Sequence, residues 1–190
     1  MAELLSIASR PEPATLHSVS PIQRPERFPP TVTGDEATTL WSMLDYYRGT
    51  LVSKCSELTD DQLRKLAVPP STLSLLGLLR HMADVEIYWF ATVFAGDDAA
   101  PPFDPANTGA DFDNLSEKSG DEVVEIFLSS VARSKEIVHG KDLSTLSVVA
   151  RPSRGHVNLR FIGVHLVEEY ARHCGHADLL REVLDGETGD

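Results

Sequence analysis

Residues 71–96 read STLSLLGLLRHMADVEIYWFATVFAG, a stretch that is apolar around most of its circumference when wound at about 100° per residue. A helix of that kind has no broad polar face to give to water, so it is expected as the most deeply buried element of the fold. No apolar run in the chain approaches the roughly 18 residues that suggest a membrane span. Other helices must therefore cover it.

The flanking sequence supplies them. Upstream, Thr33 with Glu36 has the spacing of a capping box, and Leu40, Met43, Leu44, Tyr47 and Leu51 follow at three- and four-residue steps. These predict a first helix from Gly34 to Glu57. Thr59 with Gln62 repeats the capping spacing ahead of a short helical turn, which Pro69-Pro70 closes. The apolar helix ends at Gly96. Residues 97–118 then hold Asp97, Asp98, Asp104, Asp111, Asp113 and Glu117 against Lys118, with prolines at 101, 102 and 105, and read as a solvated, acidic connection. They do not form a calcium loop with Glu122, because Leu115 and Ser116 stand where an oxygen ligand and a glycine are needed. Ser119 with Glu122 opens a further helix through Val123, Ile126, Phe127, Val131 and Ile137, which stops at Gly140. Val148-Val149 and residues 157–159 flank a Pro/Ser/Gly turn, predicting a small two-stranded ribbon. A last helix runs from Arg160 to Leu184, with Gly186 beyond it.

Four long amphipathic helices without an alternating β-α pattern give an all-α fold, a four-helix bundle with a possible small β-ribbon before its last helix. Residues 1–30 carry six of the 12 prolines and no sustained apolar periodicity. They read as an arm, leaving residues 31–190 as one domain of a size that can bury a core.

Charge and cysteine content narrow the function. The chain has 17 Lys and Arg against 29 Asp and Glu, a formal charge of −12. That balance argues against nucleic acid or an anionic lipid surface as partner, since both are bound through clustered cations. The first residues, MAELLSIASRPEP, lack the basic region and long apolar core of a secretory signal. Cys55 and Cys174 are a lone pair and are expected to be reduced, buried thiols in a cytoplasmic protein. Trp41, Trp89, Tyr46 and Tyr47 read as core and interface aromatics, and Arg151, Arg154 and Arg160 as surface arginines.

The histidines are distributed unevenly. Four of the seven fall in the two most apolar helices: His81 in the second, and His165, His173 and His176 in the last. On the last helix, Ile162, Leu166, Glu169, His173 and Leu180 lie within a sector of about 60°, so an acid points where the core leucines point. A carboxylate there needs a cation or hydrogen-bond donors. Glu169 and His173 are four residues apart and can reach a shared ion from adjacent turns, with His81 as a third donor if the two helices are neighbours. Two imidazoles and one carboxylate suit zinc, and nickel or iron could use the same donors. Spacing alone leaves alternatives open. Arg172, His165 or His176 could neutralise Glu169 in a metal-free polar network. His165 with Glu169, or His173 with His176, could form other ligand pairs, though His165 and His176 are about 16 Å apart along the axis and cannot share one ion.

The segment STLSLLGLLRHMADVEIYWF, followed far downstream by HLVEEYARHCGHADLLREVLDG, resembles the DinB/YfiT-like superfamily across residues 30–188, in its branch related to mycothiol-dependent enzymes. The resemblance implies a bundle of up-down-down-up order and a divalent metal held by one His of the second helix and two ligands four apart on the last. That last pair is His and His in the bacillithiol-type branch. It is Glu and His in the branch similar to the N-terminal domain of mycothiol-dependent maleylpyruvate isomerase, which EYARH from Glu169 to His173 fits. His81, Glu169 and His173 are thereby implied as metal ligands, with His165 and His176 supporting them or lining the pocket. The implied activity is a metal-dependent thiol S-transferase, with a mycothiol-type low-molecular-weight thiol as cosubstrate and a small-molecule electrophile as its target. The resemblance also implies a homodimer. The isomerase itself is a longer protein with a further C-terminal domain, and that activity is not expected here. Two other functions fit the same residues: a hydrolase in which the metal activates water, and a non-enzymatic metal-binding stress-response protein.

Overall fold

A computed structural model describes residues 22–106 and 108–189. The chain forms α1 (Glu36–Cys55), α2 (Asp60–Arg64), α3 (Leu75–Glu86), α4 (Gly120–Val138) and α5 (Leu159–Asp185). α3 runs without a break into a π-helix, Ile87–Ala95, and a single 3-10 turn, Ala110–Phe112, lies in the acidic connection. The fold is all-α, and no strand forms among the described residues. Most of the N-terminal arm, residues 1–21, lies outside the described residues; residues 22–35 have no regular structure, and Ile22 is buried against the core.

The helix limits follow from side chains that satisfy the orphan amides of the first turn. Ser74 accepts from the Gly77 amide and starts α3, while Thr59 with Gln62 and Ser119 with Glu122 form full capping boxes for α2 and α4. At α1 the cap is Asp35, whose Oδ1 accepts from Thr38 N at 2.7 Å. It replaces the expected Thr33 because a carboxylate is the stronger acceptor for the amides and sits favourably at the positive end of the helix. α5 ends at Gly186, which has a φ of 83°.

α3 is the hub. It contacts α1, α2, α4 and α5, and α1 packs along α5. Leu75, Leu76, Leu78, Leu79, Met82 and Ala83 have no exposed surface. The π-helix ends at Gly96, where φ is 74° and an added Cβ would stand 2.5 Å from Val148 Cγ1. That close approach lets the segment before α5 fold over the helix end, so that Val148 N and Val149 N donate to the carbonyls of Phe94 and Val93. Those carbonyls have no donor within the helix. The backbone that would have paired into a ribbon is thus spent elsewhere: only isolated antiparallel bridges remain, Leu146 with Asn158 and Arg151 with Gly155.

A buried ionic cluster ties three helices together. Glu86 of α3 has no exposed surface and receives Arg48 of α1 in a two-pronged pair, Nε to Oε1 and NH2 to Oε2, both at 2.8 Å. Tyr170 of α5 donates to the same Oε1 at 2.7 Å. Burial raises the Tyr170 phenol well above its ordinary pKa and Glu86 adds to the effect, so the phenol stays protonated and donates. On the other side of the fold Arg181 of α5 donates through NH1 to the carbonyls of Lys54 and Ser56, closing the C-terminal end of α1.

The acidic connection is not simply solvated. Asp84 of α3 accepts from the amides of Phe103 (2.9 Å) and Asp104 (2.6 Å). Asp104 in turn accepts from the Gly109 and Ala110 amides and from Thr108 Oγ1. Both carboxylates are buried, as is Asp111. Burial pushes the Asp84 carboxyl up to about 6, with Asp111 and Asp104 pushing the same way and the two backbone amides opposing them.

Three outcomes follow from these buried charges. Glu86→Ala should destabilise the fold by about 3–5 kcal/mol, because it removes the buried two-pronged partner of Arg48 and leaves the half-exposed Asp45 to answer that charge alone, and Tyr170→Phe by about 1.5–3 kcal/mol, the value of a hydrogen bond to a charged group; urea unfolding curves measure both. For Asp84, the folded-state pKa lies above the ordinary 3.8, so its stabilising contribution is fully present below that value and is lost as pH rises through about 6. Relative to Asp84→Asn, which does not titrate there, the wild-type protein should therefore lose stability across that window, read from unfolding curves collected as a function of pH.

Candidate functional site

α3 and α5 are in contact, and the contact brings His81 opposite the Glu169–His173 pair. The three side chains each offer a donor atom, and these atoms all lie within 4.8 Å of one another, a set that one ion could share. Within the pair, His173 Nε2 stands 3.5 Å from Glu169 Oε2. Across the helices, the rings of His81 and His173 meet edge to face with centroids 4.8 Å apart. Exposure is graded: the side chains of His173, Glu169 and His81 are 11, 15 and 25% exposed. The cluster is thus sunk into the protein and reached from the His81 side. A cavity of about 500 Å³ opens there, walled by His81, Val85, Tyr88, Pro101, Asp111 and Phe112. A second cavity, of about 570 Å³, opens above Arg48 and Phe127, and no histidine lines it.

Each donor is held by a neighbour. His81 Nδ1 lies 2.6 Å from Asp111 Oδ2, which leaves Nε2 as the free nitrogen of that ring. His173 Nδ1 lies 3.3 Å from His176 Nδ1, so one proton is shared between the two rings. Glu169 Oε1 receives Arg172 NH1 at 3.0 Å, and His165 Nε2 stands 3.9 Å from the same oxygen. Arg172 and a donor pair on Glu169 therefore coexist, because each uses a different carboxylate oxygen. Burial lowers the His173 pKa to about 4, with the neighbouring His81, His176 and Arg172 acting in the same direction against Asp111. At neutral pH its imidazole is uncharged, the form in which a ring nitrogen ligates.

The remaining histidine of α5 has a different setting. His165 stacks on Phe161 at an interplanar angle of 8° and meets the edge of Trp89 at 4.7 Å, and its Nδ1 faces Glu168. Trp89 is buried, and Arg151 lies over it at 4.9 Å. Arg154 covers Phe161, and Arg160 pairs with Glu36 of α1. These arginines lie against protein groups. Cys55 and Cys174 are free and buried. Burial pushes the Cys174 thiol up to about 12, helped by Asp178, and raises Cys55 further. Neither belongs to the donor cluster, so the protein contributes no thiolate there.

The residue that sequence reasoning missed is Asp111. It stands in a run of acids that looks like solvated loop, and no spacing rule links it to His81, thirty residues earlier. Phe112, whose ring lies 5.5 Å from that of His81, was equally hidden. The only sequence signal for either was the pair of turn-forming features around them, Gly109 and Asn114, both with positive φ.

No individually curated protein matches the chain. The profile of the mycothiol S-transferase family matches residues 39–186, from the first turn of α1 to the glycine that ends α5. That span takes in every helix and all three donors, and it places the chain in the DinB/YfiT-like superfamily as a member of the mycothiol S-transferase family.

Proposed function

We propose that this protein is a metal-dependent mycothiol S-transferase in which His81, Glu169 and His173 hold one divalent ion. The observation that carries the reading is the convergence of those three donors from two helices into a half-buried cluster beside a cavity. The donor set fits a zinc-type ion. His81 Nε2 is free because Nδ1 is engaged with Asp111, His173 is neutral, and Glu169 keeps one oxygen clear of Arg172. Three protein donors leave a position for an external ligand, as in catalytic zinc sites.

A divalent ion there supplies the Lewis acidity that keeps an incoming thiol deprotonated near neutral pH. The chain's own residues do the rest. His81, Glu169 and His173 fix where the sulfur sits. Val85, Tyr88, Pro101 and Phe112 shape an apolar wall for the electrophile next to it and limit water on that side. The sulfur of the small thiol forms a bond to the electrophilic carbon, the leaving group departs with its electron pair, and the thiol proton passes to solvent. Neither protein cysteine takes part, since both are buried with raised pKa values.

The same reading takes residues 31–190 as one domain, with α1, α3, α4 and α5 as a four-helix bundle of up-down-down-up order. The packing of α1 on α5, α3 on α4 and α3 on α5 supports it. No helix among the described residues is long and apolar enough to cross a membrane, and the two free thiols suit the reducing cytoplasm.

Elemental analysis of purified wild-type protein beside His81→Ala tests the site. Wild type should carry about one equivalent of divalent metal and the variant little, since removing one of three ligands breaks the set. Conjugation of an electrophile should require both added mycothiol and bound metal. Turnover that persists in full after chelation, or a wild-type protein that retains no metal, would defeat the proposal. Chelation should also lower the melting temperature of wild type and leave that of His81→Ala unmoved, because a ligand stabilises only the state that binds it.

A further inference from the structure

The acidic connection between α3 and α4 returns twice to α3, one turn apart. Its first half is pinned at Asp84, through the amides of Phe103 and Asp104. Its second half is folded on Asp104, which gathers the Gly109 and Ala110 amides and so sets the 3-10 turn Ala110–Phe112. That turn delivers Asp111 to His81 Nδ1 at 2.6 Å and lays Phe112 against the same ring. Gly77, one turn before His81, is what lets the turn come so close: a Cβ at that position would stand 2.7 Å from Phe112 Cδ1. Arg80 adds a third tie, donating through NH1 to Asp113 O and through NH2 to Ala110 O.

Asp111 itself is held under strain of charge. It is 6% exposed, and its Oδ1 is buried with no hydrogen-bond partner. A buried carboxylate with one oxygen unmatched is costly unless a positive charge lies near it. Among the described residues, the group that Asp111 engages through a hydrogen bond is His81, itself a member of the donor cluster.

We propose that Asp111 is the positioning residue for His81, and that the 97–118 connection is folded to present it. The carboxylate accepts the Nδ1–H of His81, which fixes the ring as the tautomer with its Nε2 lone pair toward Glu169 and His173. It also makes that nitrogen more basic and answers the charge of an ion bound there. This is the arrangement by which an outer carboxylate orients a ligating histidine. The inference rests on the metal reading given above, and it gives the connection a task in the site.

The test compares wild type, Asp111→Ala, Asp111→Asn and Gly77→Ala by two measurements. The first is Zn²⁺ affinity, by competition with a chromogenic chelator. The second is the ¹⁵N chemical shifts of the His81 ring in metal-free protein, which report its tautomer and which a purely structural role for Asp111 would not move. Wild type should show a single tautomer protonated on Nδ1. Asp111→Ala should bind Zn²⁺ about 10- to 100-fold more weakly, the usual effect of losing such a partner, and its His81 should show mixed tautomers. Asp111→Asn keeps an acceptor oxygen and should keep the tautomer with a smaller loss of affinity. Gly77→Ala, which leaves every polar group in place and displaces the turn, should fall between wild type and Asp111→Ala. Undiminished Zn²⁺ affinity in folded Asp111→Ala, or a wild-type His81 unprotonated on Nδ1, would overturn the inference. If Asp111→Ala does not fold, the wild-type ring shifts and the Asn and Gly77 variants still decide it. A wild type that takes up no Zn²⁺ but shows the Nδ1-protonated ring overturns the metal reading instead.

Discussion

A helix enclosed on nearly every side cannot leave a charge unanswered, and α3 carries three ionisable groups within six residues: His81, Asp84 and Glu86. In an interior of low polarity each must find a partner or stay neutral. Each is answered by a different part of the chain. Glu86 takes Arg48 from α1 and Tyr170 from α5, Asp84 takes the backbone of the acidic connection, and His81 meets Asp111 on one side and the α5 pair on the other. The arrangement of the other elements around α3 can be understood as the set of placements that satisfies these three demands at once.

The ionic cluster and the donor cluster share an element as well as a logic. Tyr170 and Glu169 are adjacent in α5 and diverge, one toward Glu86 in the dry core and the other toward His173 at the cavity. Fixing the tyrosine therefore fixes the rotation of α5, and with it the direction in which the glutamate points. α5 is 27 residues long, and apolar packing constrains its rotation without aiming any one polar side chain. Directional bonds at one position remove the remaining freedom at the next.

What could be read from the sequence was what periodicity and capping encode. The limits of α4 and α5, the capping boxes at Thr59 and Ser119, the central place of α3 and the proximity of His81, Glu169 and His173 all follow from residue spacing or from the resemblance built on it. What could not be read was set by contacts between residues distant in the chain. The π-helical winding of Ile87–Ala95 and the docking of Val148 and Val149 on its last carbonyls have no local pattern. The burial of Asp104 and Asp111 contradicts the composition of their segment, since a run of acids and prolines has the look of solvated chain whatever its partners do. Asp35 displaced Thr33 as the α1 cap because two acceptors two residues apart compete, and spacing rules do not rank them.

The seclusion of the two cysteines has a consequence for a member of the mycothiol S-transferase family. Cys55 and Cys174 are shut away in the interior, and their protons are held tightly. A reagent that alkylates thiolates finds neither sulfur accessible nor ionised. The polypeptide therefore offers no exposed sulfur of its own, and a thiol at the cavity has to arrive as a guest.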